Sequence, residues 1–173
     1  MEIKREYGYV LLIAVLLYLH QQLVLVIPVI KNRLSTGISA PTLYPRDSQI
    51  LELELSKEQV DQYLRAQRAH QNNIELTSVF MPLFLIVGLF EPTQAAIGGT
   101  IVLLFRILGG IGYLHGKRMI GAGFHLGELY ILYLACKIAL GYITSSDNTA
   151  LMTGGENIDH TKFYNGVDVI DSL

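Results

Sequence analysis

The stretch Arg65-Ala66-Gln67-Arg68-Ala69-His70-Gln71-Asn72-Asn73-Ile74-Glu75 runs without a break into Leu76-Thr77-Ser78-Val79-Phe80-Met81-Pro82-Leu83-Phe84-Leu85-Ile86-Val87-Gly88-Leu89-Phe90. On a helix, the three-four-three spacing of Arg65, Arg68, Asn72 and Glu75 gathers them within an arc of about 80°. They form one polar stripe. No Gly, Pro or turn cluster separates the stripe from the apolar run, so both belong to a single helix and Glu75 stands at or just inside a membrane boundary. A charged side chain at mid-bilayer costs about 2.5 to 3.5 kcal/mol on insertion scales. The stripe therefore requires partners within a bundle or a wet cavity, and Arg106 is the candidate partner.

Working back from the stripe, Ser56 followed three residues later by Gln59 is a capping-box start, which predicts a helix from Lys57 to Phe90. At 1.5 Å per residue it is about 50 Å long, more than the hydrocarbon core, so its first turns stand in the headgroup zone or beyond. Pro82 is expected to kink it. Residues 31–58 read as a polar connection with a short extended piece at Leu51-Glu52-Leu53-Glu54-Leu55. Working forward, Glu91-Pro92-Thr93 is a turn too short for anything but antiparallel neighbours. Three more apolar blocks, 10–30, 95–114 and 124–143, approach or meet the roughly 20 residues a spanning helix needs. The reading is an all-α, four-helix transmembrane bundle over residues 1–143, followed by a polar, acidic tail, 144–173, that is either disordered or a docking segment.

Composition agrees with that reading. The 173 residues are 51% apolar and only 16% charged, against about 25% charged in an ordinary soluble domain. The formal net charge of −2 supplies no basic excess for a phosphate backbone, so nucleic acid is not an expected partner. Lys4 and Arg5 before an apolar run resemble a secretory signal. The absence of a small-x-small cleavage site, and the resumption of hydrophobicity at Leu23, favour a retained first helix. The basic residues Lys31, Arg33, Arg46, Lys57, Lys117 and Arg118 lie in the first and third connections, which places those connections on the cytoplasmic or equivalent face. Glu128 and Lys137 in the fourth block are read as facing a neighbouring helix or snorkelling. The single cysteine, Cys136, and five histidines show no metal-ligand spacing.

Two readings of the stripe are open on physical grounds. Arg68, Asn72, Glu75 and Arg106 can tie helices together as a buried polar network. Equally, two arginines, an amide and a carboxylate are what a small zwitterionic peptide needs, with guanidinium forks for its carboxylates and a carboxylate for its ammonium group.

The segment Arg68-Ala69-His70-Gln71-Asn72-x-x-Glu75, together with Glu6-Tyr7-Gly8-Tyr9-Val10-Leu11-Leu12 and Phe90-Glu91-Pro92, resembles the membrane-associated family of eicosanoid and glutathione metabolism (MAPEG). Its microsomal glutathione transferases of the third type are the nearest branch. The resemblance covers residues 3 to 143. It implies a homotrimer of four-helix subunits in the endoplasmic reticulum or a mitochondrial membrane, with glutathione as cofactor between neighbouring subunits near the cytosolic side. By position, Arg68, Asn72, Glu75, Arg106 and Tyr113 would bind glutathione. Arg118, in the connection after the third helix, would be the catalytic residue that favours the thiolate.

The chemistry implied is activation of a thiol whose ordinary pKa is about 8.5, followed by attack on a lipophilic electrophile or lipid hydroperoxide arriving through the membrane lipids. Two positions depart from the leukotriene-forming branch, where tyrosines stand: Leu76 directly after the motif carboxylate, and Gly109 four residues before Tyr113. These departures support a second reading, a catalytically weakened accessory or scaffold subunit of a larger membrane assembly.

Overall fold

The structure is a computed structural model and describes residues 3–144, apart from the side chain of Arg118. The acidic tail from 145 onward lies outside the described residues. The first unit of the chain ends at Ile138, and of the second only residues 139–144 are described. Among the described residues there is helix and no strand. Four stretches are long and apolar enough to cross a membrane: Tyr7–Thr36, Lys57–Phe90, Pro92–Leu114 and Met119–Thr144.

The first stretch is built from α1 (Tyr7–Leu19), a π-helical segment His20–Val26, and α2 (Ile27–Thr36). Pro28 sits in the first turn of α2, directly after the π segment, and offers no N–H to the carbonyls of the preceding turn. Gly37 ends α2 in the left-handed region at φ 71°, the usual helix stop. The connection then differs from the sequence expectation. Instead of an extended piece it carries a short helix, α3 (Asp47–Glu52), and Glu54 turns the chain with φ 50°. The alternating leucines of 51–55 thus mark a helix end, because Leu55 N–H returns to the Ile50 carbonyl at 3.0 Å.

The capping box at Ser56 is formed as expected. Gln59 N–H donates to Ser56 Oγ at 3.3 Å, and Ser56 N–H donates to Gln59 Oε1 at 2.9 Å. From there α4 (Lys57–Phe90) runs as one helix through Pro82. After Glu91, α5 (Pro92–Leu114) begins at once. A 3-10 turn, Arg118–Gly121, leads into α6 (Phe124–Thr144).

The core of the first unit is formed by side chains of α1, α4, α5 and α6. Phe80 and Phe84 stack with ring centroids 5.3 Å apart, among Val10, Ile13, Leu17, Val87, Val102, Ile131 and Leu134. Two ties cross the far ends of the helices. Tyr130 Oη donates to Gln94 Oε1, and Lys137 lies 3.5 Å from Glu91. Lys137 and Glu128 are therefore engaged rather than snorkelling, since Glu128 meets His125 at 2.9 Å.

Candidate functional site

The polar stripe of α4 faces outward. Arg65, Arg68, Asn72 and Glu75 are all exposed on this subunit. The intervening residues Ala66, Gln67, Ala69 and Asn73 are buried, which is what fixes the rotation of α4. Among the described residues the ion pairs are His125–Glu128 and Lys137–Glu91, so neither stripe arginine is neutralised by a carboxylate of its own subunit. Glu75 does not meet Arg106. Arg106 is a partner of the stripe through Asn72 instead, and its other contact is Asn73.

Arg106 on α5 is 7% exposed. Its Nε donates to Asn73 Oδ1 at 2.8 Å and one terminal nitrogen donates to Asn72 Oδ1 at 3.1 Å. The guanidinium lies over the Phe124 ring at 4.9 Å, a contact that a desolvated cation favours. Asn73 passes the network on by donating to Gln21 Oε1. Sequence reading did not find Asn73 or Gln21. Asn73 is turned away from the stripe on the helical wheel, and Gln21 is one of three polar residues, His20-Gln21-Gln22, interrupting an otherwise apolar run, the one signal that was available.

Two cavities flank this network and share Tyr113. The smaller, about 270 Å³, is lined by Asp61, Leu64, Arg65, Arg68, Tyr113 and Gly116. The larger, about 570 Å³, has Asn72, Arg106 and Tyr113 on one side and Leu25, Phe105, Met119 and Phe124 among its apolar walls. Of the residues expected to bind a ligand, Arg68, Asn72, Arg106 and Tyr113 are thus brought together around adjoining cavities. Glu75 lies on the same exposed face of α4 and lines neither. The side chain of Arg118 lies outside what is described, and its backbone opens the 3-10 turn.

The connection before α4 is held down beside the stripe. Thr42 O accepts both from Arg33 at 2.8 Å and from Tyr63 Oη at 2.7 Å, and the Arg33 guanidinium sits 5.6 Å from the Tyr63 ring centroid. Tyr44 Oη donates to Gln71 Oε1 at 2.9 Å. Two hydrogen bonds, Tyr63–Thr42 and Tyr44–Gln71, therefore anchor this connection onto the outer part of α4, with Arg33 of α2 joined to the first.

Four apolar spans with a polar site at one end of the second define an integral membrane protein of the all-α class. The model of the MAPEG family matches residues 10–140, most of the chain and all of the spans' core, and the chain belongs to that family. Searches of curated proteins and of solved structures each returned no match.

Proposed function

We propose that this protein is a glutathione-dependent transferase or peroxidase acting on lipophilic substrates, and that it works as a homotrimer. The observation that carries the reading is the exposed, unneutralised stripe of α4 beside two cavities that meet at Tyr113. Arg65 and Arg68 are free to fork onto carboxylates, and Glu75 to accept from an ammonium group. Glu75, at a membrane-spanning helix, meets no cation among the described residues and calls for a counter-group. A second copy laid against α4 supplies the missing wall, with glutathione in the seam. The smaller, arginine-rich cavity and the Asn72–Arg106 side of the larger suit the tripeptide, and the apolar walls of the larger suit the lipophile.

Arg118 is the residue proposed to favour the thiolate. Lowering a thiol pKa by two units takes about 2.7 kcal/mol of differential stabilisation, within reach of one guanidinium in a partly dry site. The thiolate then displaces a leaving group from carbon to form a thioether. With a hydroperoxide, two glutathiones yield the disulfide, the lipid alcohol and water.

A second reading is favoured by one feature. The Gly109 position, where the leukotriene-forming branch has a tyrosine, is filled by backbone from the 3-10 turn. That removes a hydrogen-bonding group from the site and supports an accessory subunit of a larger membrane assembly. The purified protein, assayed with a chloronitrobenzene acceptor and with a lipid hydroperoxide, separates the two. Activity that falls in Arg68→Ala and Arg118→Ala supports the enzyme. Glutathione binding absent from the wild type, with co-purification in a large complex, sinks it.

A further inference from the structure

The polar network beneath the larger cavity has a feature that a simple helix tie does not require. Arg106 is nearly buried, yet among the described residues no carboxylate contacts it. Glu128, whose charge reaches Arg106, is engaged with His125. Both hydrogen-bond partners of the guanidinium among the described residues are neutral side-chain amides, Asn73 on Nε and Asn72 on a terminal nitrogen. An amide oxygen accepts the same hydrogen bond that a carboxylate would, without cancelling the charge.

Asn73 is 1% exposed and is itself oriented from a second helix. Its Oδ1 faces Arg106 because its Nδ2 is committed to Gln21 Oε1 and lies 3.5 Å from Thr77 Oγ1. Gln21 belongs to the π segment His20–Val26, whose wider turn carries both His20 and Gln21 inward, 4% and 8% exposed. Such π turns are rare and are found often at functional sites. The chain of bonds has one direction, from cation to Asn73 to Gln21, and it ends on Gln21 Nε2, buried and without a partner among the described residues. Amide polarity passed along such a chain strengthens each bond. A network built only to join helices would close on an acceptor.

We propose that Asn73, set by Gln21, is a positioning residue that holds Arg106 at the cavity wall as a cation with no contact counter-ion, so that a carboxylate of the bound ligand becomes its counter-ion. The inference rests on the glutathione reading above and goes further, assigning to Arg106 the recognition of a carboxylate and to two neutral amides on α4 and the π segment the task of keeping that cation available. Arg68 and Arg65 then serve the smaller cavity, while Arg106 serves the larger.

The test is glutathione binding by calorimetry to the full chain in lipid nanodiscs, with thermal unfolding measured alongside. In Asn73→Asp a carboxylate replaces the amide on Arg106 Nε. The unfolding midpoint is expected to hold or rise, since a buried ion pair now replaces a cation–amide bond, while affinity falls at least about tenfold. In Gln21→Glu the new charge stands one amide further away, and affinity falls less, roughly threefold. A purely structural role for Asn73 gives the opposite pattern, with stability moving and the affinity of folded protein unchanged. Folded Asn73→Asp that binds within about twofold of wild type overturns the proposal. Should Asn73→Asp fail to fold, unaltered affinity in Gln21→Glu overturns it. A wild type that binds no glutathione is a different result, which overturns the functional reading and this inference with it.

Discussion

Gly109 of α5 and Gly121 at the end of the 3-10 turn meet backbone to backbone, so that a Cβ on residue 109 would stand 2.9 Å from the Gly121 Cα. Neither partner is a flexible side-chain tip that can swing aside. Replacing Gly109 by Ala gains up to about 1 kcal/mol of helix propensity but forces the turn off α5, and overpacking of this kind costs about 1 to 3 kcal/mol. The net expectation is a lower unfolding midpoint for Gly109→Ala and, for Gly109→Tyr, a displaced connection. Hydrogen exchange across 115–123 reports both; unchanged protection in Gly109→Tyr contradicts the close contact.

Arg68 is exposed and forms no ion pair among the described residues, so the described fold does not depend on it. Arg68→Ala should shift stability of the isolated subunit by no more than about 0.5 kcal/mol. Loss of a charged hydrogen bond, about 1.5 to 3 kcal/mol, should weaken glutathione binding by roughly ten- to a hundredfold. Calorimetry on the same preparation reads both, and a variant that loses stability but not affinity would place Arg68 in a structural tie instead.

The Thr42 carbonyl takes two donors, Arg33 and the Tyr63 hydroxyl. Tyr63→Phe removes one and should cost about 1 kcal/mol, with Arg33→Met costing more because the ring contact goes as well. As the two donors share an acceptor, the double variant should deviate from additivity. Limited proteolysis within 37–46 is the readout, expected to quicken in each single variant.

Ser56→Ala removes the side chain that caps α4, with an expected loss of about 0.5 to 2 kcal/mol. Because the cap lies at the solvent end of a long helix, the loss should appear as faster amide exchange over the first turn after Ser56, with little change in the apolar span.

What could be read from the sequence was what local chemistry decides. The Ser56–Gln59 box, the short turn at Glu91, and the shared helix face of Arg65, Arg68, Asn72 and Glu75 all follow from neighbours in the chain, whereas the outward direction of that face does not: partners within the bundle were expected, and all four residues are exposed. Of the two partners of Arg106, Asn72 belongs to the network the sequence suggested, while Asn73 does not, because that contact depends on the rotation of α4 against α5. Only the packed helices reveal that Asn73, off the stripe, faces Arg106. The leucines of 51–55 misled for a related reason: period-two alternation over five residues also fits the end of a short helix, and Glu54 in the left-handed region decides for the latter. The glycine at 109 was legible as a departure from the leukotriene-forming branch. Its cause, the backbone of Gly121, lies across a fold-back that no local pattern announces.

One uninterrupted helix, α4, carries both the guanidinium stripe and the apolar span that follows it. The depth of the stripe is thereby tied to hydrophobic matching: a thicker bilayer must draw the rod inward or straighten it, and a thinner one must tilt it or pinch around it. Membrane thickness becomes a variable that sets how far Arg68 and Glu75 stand from water, so acyl-chain length and sterol content would tune the site without touching a single residue.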